Sequence, residues 1–247
     1  MLVGVAAGLL AGIFGVGGGI IMVPLLIWFG FDRHRAHATS LASIIPIGIA
    51  GAIAFASAGE IDLAVGVTIG LGGVVGSTIG ASLMHRSSPR TLTIVFSVVL
   101  LVAGLRMVLA GDDLGSPFAI GELARVITAL SIGIFAGFFA GLSGVGGGVV
   151  IVPAAVFFLG LGQHAAQGTS LVAIIFTALS ATVVNLRNQR VRLQDGLVVG
   201  LGGVAGSLIG AQIALGAEEQ VLSVAFGILV ILVAVQSLVR VLRPSEV

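Results

Sequence analysis

The sequence has no cysteine, so disulfides, thiolate chemistry and Cys-based metal sites are excluded, and nothing follows about redox compartment. Lysine is missing as well, because all eleven basic residues are arginine. Charged side chains of either sign make up only 9% of the chain, where a soluble globule carries about a quarter. With 57% hydrophobic residues and a mean hydropathy of +1.23, water is not the solvent around most of this polypeptide. The composition reads as an all-α polytopic membrane protein, a single membrane domain over 1–247 with room for roughly eight membrane-length segments.

Further absences narrow the chemistry. No Walker motif and no nucleophile-base constellation is present, so neither ATP drive nor enzyme catalysis is indicated, and no cofactor is expected. Four scattered histidines give no metal-ligand spacing. The sequence pI of about 9.1 does not point to nucleic acid, since the arginines lie singly or in twos and threes between apolar segments, without a basic stripe or interleaved aromatics. No carboxylate falls in the middle of an apolar segment, leaving no evident group for proton relay or sodium binding. Neither a charged leader nor a small-residue cleavage site marks a signal peptide, so the first segment is expected to stay in the mature protein.

What the sequence does have is glycine, and a pattern that occurs twice. GLLAGIFGVGGGIIMVP runs from Gly8 to Pro24 and GFFAGLSGVGGGVVIVP from Gly137 to Pro153. Glycine costs a helix about 1 kcal/mol per position relative to alanine, so three in a row inside an apolar run predict a break at Gly15 to Gly19 and at Gly144 to Gly148. Upstream, Gly4, Gly8 and Gly12, answered by Gly133, Gly137 and Gly141, fall on one helical stripe, the spacing that lets another backbone come close. At an offset of 130, Gly70 to Ala81 matches Gly200 to Ala211 at ten of twelve positions. The chain is therefore an internal duplication, with repeat one over 1–110, a linker over 111–121 and repeat two over 122–243.

Leu2 to Phe31 as one straight helix would reach about 45 Å, too long for a hydrocarbon core of about 30 Å. Two arms of about twelve residues would reach the bilayer middle and return. If each break is a re-entrant hairpin, each half has a hairpin plus three crossings, and the two halves insert in opposite orientations. One face then collects Arg33, Arg35, Arg86, Arg90, Arg187, Arg190, Arg192, Arg240 and Arg243, and the other keeps only Arg106 and Arg125. Straight spanning would split the arginines nearly evenly, so the excess of arginine on cytoplasmic loops favours an inverted repeat with both termini in the cytoplasm. Interrupted helices meeting at the midplane are how many secondary transporters build their site.

A second arm that starts at Gly17, Gly18 and Gly19 would present N–H groups and a positive dipole end at the midplane, and Gly146, Gly147 and Gly148 would do the same from the other side. Such ends favour a small anion; tight packing of a bent hairpin is the equally available reading. His37 and Gln167 hold equivalent places before Thr39-Ser40-Leu41 and Thr169-Ser170-Leu171, which suggests a paired role in substrate contact or gating. A simple ruler places them near opposite faces, so they form either one site reached by an inward dip or two gates. Thr39, Ser40, Thr169 and Ser170 are also expected to be helix N-caps. Asn185 is placed to cap or to reach a substrate oxygen. His34 and His85 read as interfacial, and Arg86, Arg187 and Arg190 as orientation signals or a basic vestibule.

The duplicated stretch at Gly12 to Pro24 and Gly141 to Pro153, the Thr-Ser-Leu that follows each copy, and the pair at Gly72 to Ala81 and Gly202 to Ala211 resemble the TauE/SafE sulfite exporter family. The resemblance covers about Leu2 to Leu242. It implies a bacterial inner-membrane transporter, expected to act as an exporter, of sulfur-containing anions such as sulfite, sulfoacetate or related sulfonates, working by alternating access between the hairpins. An anion channel or facilitative pore is the other reading. The expected partners are a small organic or inorganic sulfur anion and the lipid bilayer, with no nucleic acid and with homo-oligomerisation left open. The hairpins align at an offset of 129 and Thr39 with Thr169 at 130, so the two half-sites need not be equivalent.

Overall fold

The computed structural model describes residues 1–83, 89–109, 121–143, 147–187 and 193–242. Among these the chain is helical with no strand. All but the last residue of the expected linker over 111–121, together with His85, Arg86, Arg190, Arg192, Arg243 and residues 144–146 of the second break, lie outside them. The first repeat comprises α1 (Leu2–Phe14), α2 (Gly19–Trp28), α3 (Arg33–Ser57), α4 (Leu63–Leu83) and α5 (Pro89–Leu109). The second comprises α6 (Glu122–Ser143), α7 (Gly148–Leu159), α8 (Gln163–Arg187), α9 (Leu193–Leu215) and α10 (Glu219–Leu242).

The first break falls where the glycines are. α1 ends at Gly15, whose φ of 70° is left-handed and whose N–H donates to the carbonyl of Ala11. Gly17 and Gly18 follow at φ 76° and 72°, and α2 begins on Gly18 as its N-cap. L-residues with a side chain pay about 1–2 kcal/mol for such a conformation, so glycine is what permits the reversal within four residues. α1 and α2, of 13 and 10 residues, reach only about 20 and 15 Å, too short to cross. The second pair is unequal: α6 runs for 22 residues, about 33 Å, before α7 returns for 12. Helix continues upstream of the glycine stripe there, from Glu122 through Leu130, so α6 is long enough to cross although α1 is not.

The polar patch after α2 is helical rather than a loop. Asp32 takes the N-cap of α3, its Oδ1 accepting the Arg35 N–H at 3.0 Å. Helix α8 likewise starts at Gln163. Thr39, Ser40, Thr169 and Ser170 therefore lie inside helices, and their expected role as N-caps is corrected: the helices start about two turns earlier, where Asp32 supplies the acceptor in the first copy. Segments of α3, α6, α8, α9 and α10 are long and apolar enough to cross a bilayer, and their outward faces expose large apolar side chains such as Ile53, Leu201 and Leu232. A greasy exterior on this scale fits lipid, not water.

The glycine stripes explain how the halves join. A methyl added at Gly4, Gly8 or Gly12 of α1 would collide with the carbonyls of Val199, Gly203 or Ser207 on α9. One added at Gly133 or Gly137 of α6 would collide with those of Ile69 or Gly73 on α4. The reverse contacts match: Gly206 and Gly210 face the carbonyls of Val5 and Leu9, while Gly72 and Gly76 face those of Leu130 and Ile134. Each half thus seats its first helix on the fourth helix of the other half. In lipid such close backbone approach is the main source of helix association, because no hydrophobic difference drives it.

Register between helices gives their relative sense. α3 runs with α9, since Gly196, Gly200 and Gly203 meet Ala42, Ser43 and Ile47 in order; α8 runs with α4, since Gly66, Gly70 and Gly73 meet Val172, Phe176 and Thr177. Between α3 and α8 the order reverses, with Gly48 beside Ile175 and Gly51 beside Leu171.

Candidate functional site around the glycine break

The first break is held against the second turn of α8. Residues Gly15 to Gly19 are all buried, as are Gly147 and Gly148. A methyl on Gly15 would lie 2.7 Å from Cα of Gln167, so the absent side chain is what brings the α8 backbone against the turn. Gly17 sits between Ile44 of α3 and Ile174 of α8, two residues related by the 130 offset. A methyl on Gly148, the first residue of α7, would come 2.6 Å from Cα of Val16. The start of the second half's short helix therefore touches the first half's break.

Neither α2 nor α7 receives a hydrogen bond from an N-cap side chain, their caps being Gly18 and Gly147. The leading N–H groups of a helix have no partner within it, so these two buried ends carry positive partial charge with nothing from the cap to neutralise it. The ends are not copies of one another. Gly18 is left-handed at φ 72°, whereas Gly147, its equivalent, has a right-handed φ of −73°. Gly146 lies outside the described residues.

The hydroxyls also divide unevenly. In the second copy, Ser170 Oγ donates to the Gly15 carbonyl at 2.9 Å, and Thr169 Oγ1 accepts the Asp62 N–H at 3.0 Å. In the first copy, Thr39 Oγ1 and Ser40 Oγ are fully buried without a hydrogen-bond partner. Neither bonds to the carbonyl one turn back, as helical hydroxyls commonly do. Gln167 is 0% exposed, and neither its Nε2 nor its Oε1 has a partner. An orphaned buried polar group costs about 1–3 kcal/mol, which makes this fully buried amide, with neither end satisfied, a candidate contact for a solute.

His37 sits half-buried in the second turn of α3. Asn185 lies 15 residues beyond Ser170 on α8, about 22 Å along the helix, and its Nδ2 donates to the Ala181 carbonyl at 2.9 Å. The residues brought together are thus Gly15 to Gly19, Gln167, Ser170 and Gly148. An apolar groove of about 370 Å³ between α5, α6 and α7, lined by Val99, Phe135, Val150 and Phe157 among others, has no charged lining residue, so it suits an anion poorly.

Reading the sequence alone missed two features. Asp62 anchors Thr169 through its backbone, caps Val65 with Oδ1 at 3.0 Å and pairs with Arg125 at 2.7 Å, tying the α3–α4 connection to α6 and α8. Gln163, 2% exposed, is a second buried amide without a partner; its spacing of four from Gln167 was the available signal.

The profile of the sulfite exporter TauE/SafE family matches residues 1–123 and 129–246. The chain belongs to this family. Its relatives are named as transporters, so the family is one of membrane transporters rather than enzymes. The chain is 24% identical to the probable membrane transporter protein YunE of Bacillus subtilis over 96% of its own length and 95% of that protein's. It is 30% identical to a probable membrane transporter protein of Xylella fastidiosa over 95% of its length and 90% of the relative's. A match of 31% identity to the probable membrane transporter protein MJ0441 of Methanocaldococcus jannaschii covers 44% of each chain. No solved structure matches the chain significantly. Family membership and the apolar helices together make this a multi-pass membrane transporter.

Proposed function

We propose that the protein is a secondary transporter, operating as an exporter, of small sulfur-containing anions such as sulfite, sulfoacetate or related sulfonates across the bacterial inner membrane. The observation that carries this reading is Gln167: a fully buried amide with no partner, against a glycine turn and beside an uncapped helix start. The ligand is held at the break by the backbone N–H groups of Gly17, Gly18, Gly19, Gly147 and Gly148 and by the Gln167 side chain, while Thr39, Ser40, His37 and Gly146 are further proposed contacts that lie outside the group the fold is seen to bring together. Ser170 and Thr169 position the break rather than the ligand, since their hydroxyls are already engaged.

The two repeats are inverted, both termini are cytoplasmic, and alternating access exposes the break to one side and then the other. The opposed register of α3 and α8, with α1 following α9 and α6 following α4, supports this arrangement, as does the nine-to-two division of arginines. An oxyanion suits this set of groups because N–H, O–H and amide donors satisfy it without a buried countercharge. The purified protein in liposomes should move sulfite or sulfoacetate against its own gradient when a proton or ion gradient is imposed. Flux that only ever runs downhill would make it a channel or facilitative pore.

A further inference from the structure

The polar face of α8 does not stop at the break. Gln163, Gln167 and Ser170 are spaced by four and three residues, which places them one above another on a helix, with Cβ atoms of successive members about 5–6 Å apart. The lower two face the break, where Ser170 bonds to Gly15 and the Gln167 backbone packs against it. The third member continues the row by one turn toward the start of α8. Gln163 is 2% exposed, and both its Nε2 and its Oε1 lack a partner, the same condition as Gln167. Two successive buried amides, each able to offer two N–H donors and an acceptor, would be costly furniture for a protein that used neither.

Helix geometry adds to the polarity of the place. The first backbone bond closing the start of α8 runs from the Ala166 N–H to the Gly162 carbonyl, so the N–H groups of residues 163 to 165 precede any intrahelical partner. The sequence keeps donors at both rungs in the other copy too: at the 130 offset, Gln163 and Gln167 correspond to Arg33 and His37.

We infer that Gln163 is a second contact for the transported anion, one helical turn beyond Gln167, where the solute is received or released between the break and the start of α8. This rests on the anion-transport reading above. The solute passes from the Gln167 amide to the Gln163 amide, each offering N–H donors to its oxygens, so that desolvation is spread over two steps; the Glu219 carboxylate lies beside this end of the row, against Gly162 and His164.

The test uses the full-length protein in liposomes and in detergent, with sulfite and sulfoacetate as probes. Gln163→Met keeps the side-chain length but removes both orphaned atoms. Expected are a higher melting temperature without anion, and a half-saturation constant raised about tenfold, the size of one lost charge-assisted hydrogen bond. Gln163→Glu, of the same shape but with a negative charge like the anion's own, should raise the constant further and serves alone if the methionine variant does not accumulate. A lower melting temperature in Gln163→Met would show the amide to be satisfied and would overturn the inference. So would an unchanged half-saturation constant in either variant while the Gln167→Met variant is impaired. A wild type that moves neither anion would instead overturn the transport reading itself.

Discussion

Ser170 Oγ donates a 2.9 Å hydrogen bond to the carbonyl of Gly15, joining a long helix of the second repeat to the broken helix of the first. The acceptor is the C-cap of α1, one of the carbonyls a helix end leaves without an intrahelical donor. A residue expected to cap its own helix instead secures the end of another.

Removing that hydroxyl should loosen the turn. Ser170→Ala is expected to cost about 1 kcal/mol of stability, the net value of one buried hydrogen bond, and to slow transport by more than that loss suggests, because the glycine turn loses its anchor. Thermal melting and single-anion flux measured on the same preparation check this; unchanged flux would make the bond purely structural.

The two breaks should respond unequally to a methyl group. Gly18→Ala places Cβ in a left-handed backbone and against the carbonyl of Ala7, whereas Gly147→Ala is right-handed and meets nothing nearer than 3.3 Å. The first should abolish flux and lower the melting temperature; the second should change either by little, within about 0.5 kcal/mol. Equal damage from both would mean that the turns interconvert during the cycle.

Gln167→Met should separate stability from function. Deleting two orphaned polar atoms is expected to leave the ligand-free protein as stable or more so, while raising the half-saturation constant for anion at least tenfold. Melting curves with and without sulfite read both effects, since a ligand at one hundred times its dissociation constant stabilises by about 2.7 kcal/mol.

Asp62 should matter more than its partner Arg125. The ion pair is partly exposed, with side-chain exposures of 42% and 27%, and Arg125→Ala should cost less than about 1 kcal/mol. Asp62→Ala loses the pair and the cap on Val65 together and should cost about 1 kcal/mol more. A double variant no worse than Asp62→Ala, measured by melting, is the expected result.

How much of this was readable beforehand depends on what a residue type can announce. The break at Gly15 to Gly19 was legible because glycine runs act locally on the backbone. The stripes at Gly4, Gly8, Gly12 and at Gly133, Gly137 announced close helix contact, but spacing says only that something approaches; α9 and α4 had to come from the fold. Thr39 and Ser40 were misread as caps because cap preference is shared by several residues, and Asp32, seven positions before Thr39, had the better place. The spacing of Gln163 and Gln167 was on the page, but that both amides lack partners was not, since an unsatisfied amide is a property of the surroundings and not of the residue.

The exchange of glycine-striped helices has a consequence for assembly. α1 finds its closest seat on α9, which leaves the ribosome roughly two hundred residues later, so the N-terminal hairpin must wait in the membrane with its stripe open until most of the chain has been made. The two repeats clasp rather than abut, and a polypeptide severed between α5 and α6 should still purify as a pair of fragments.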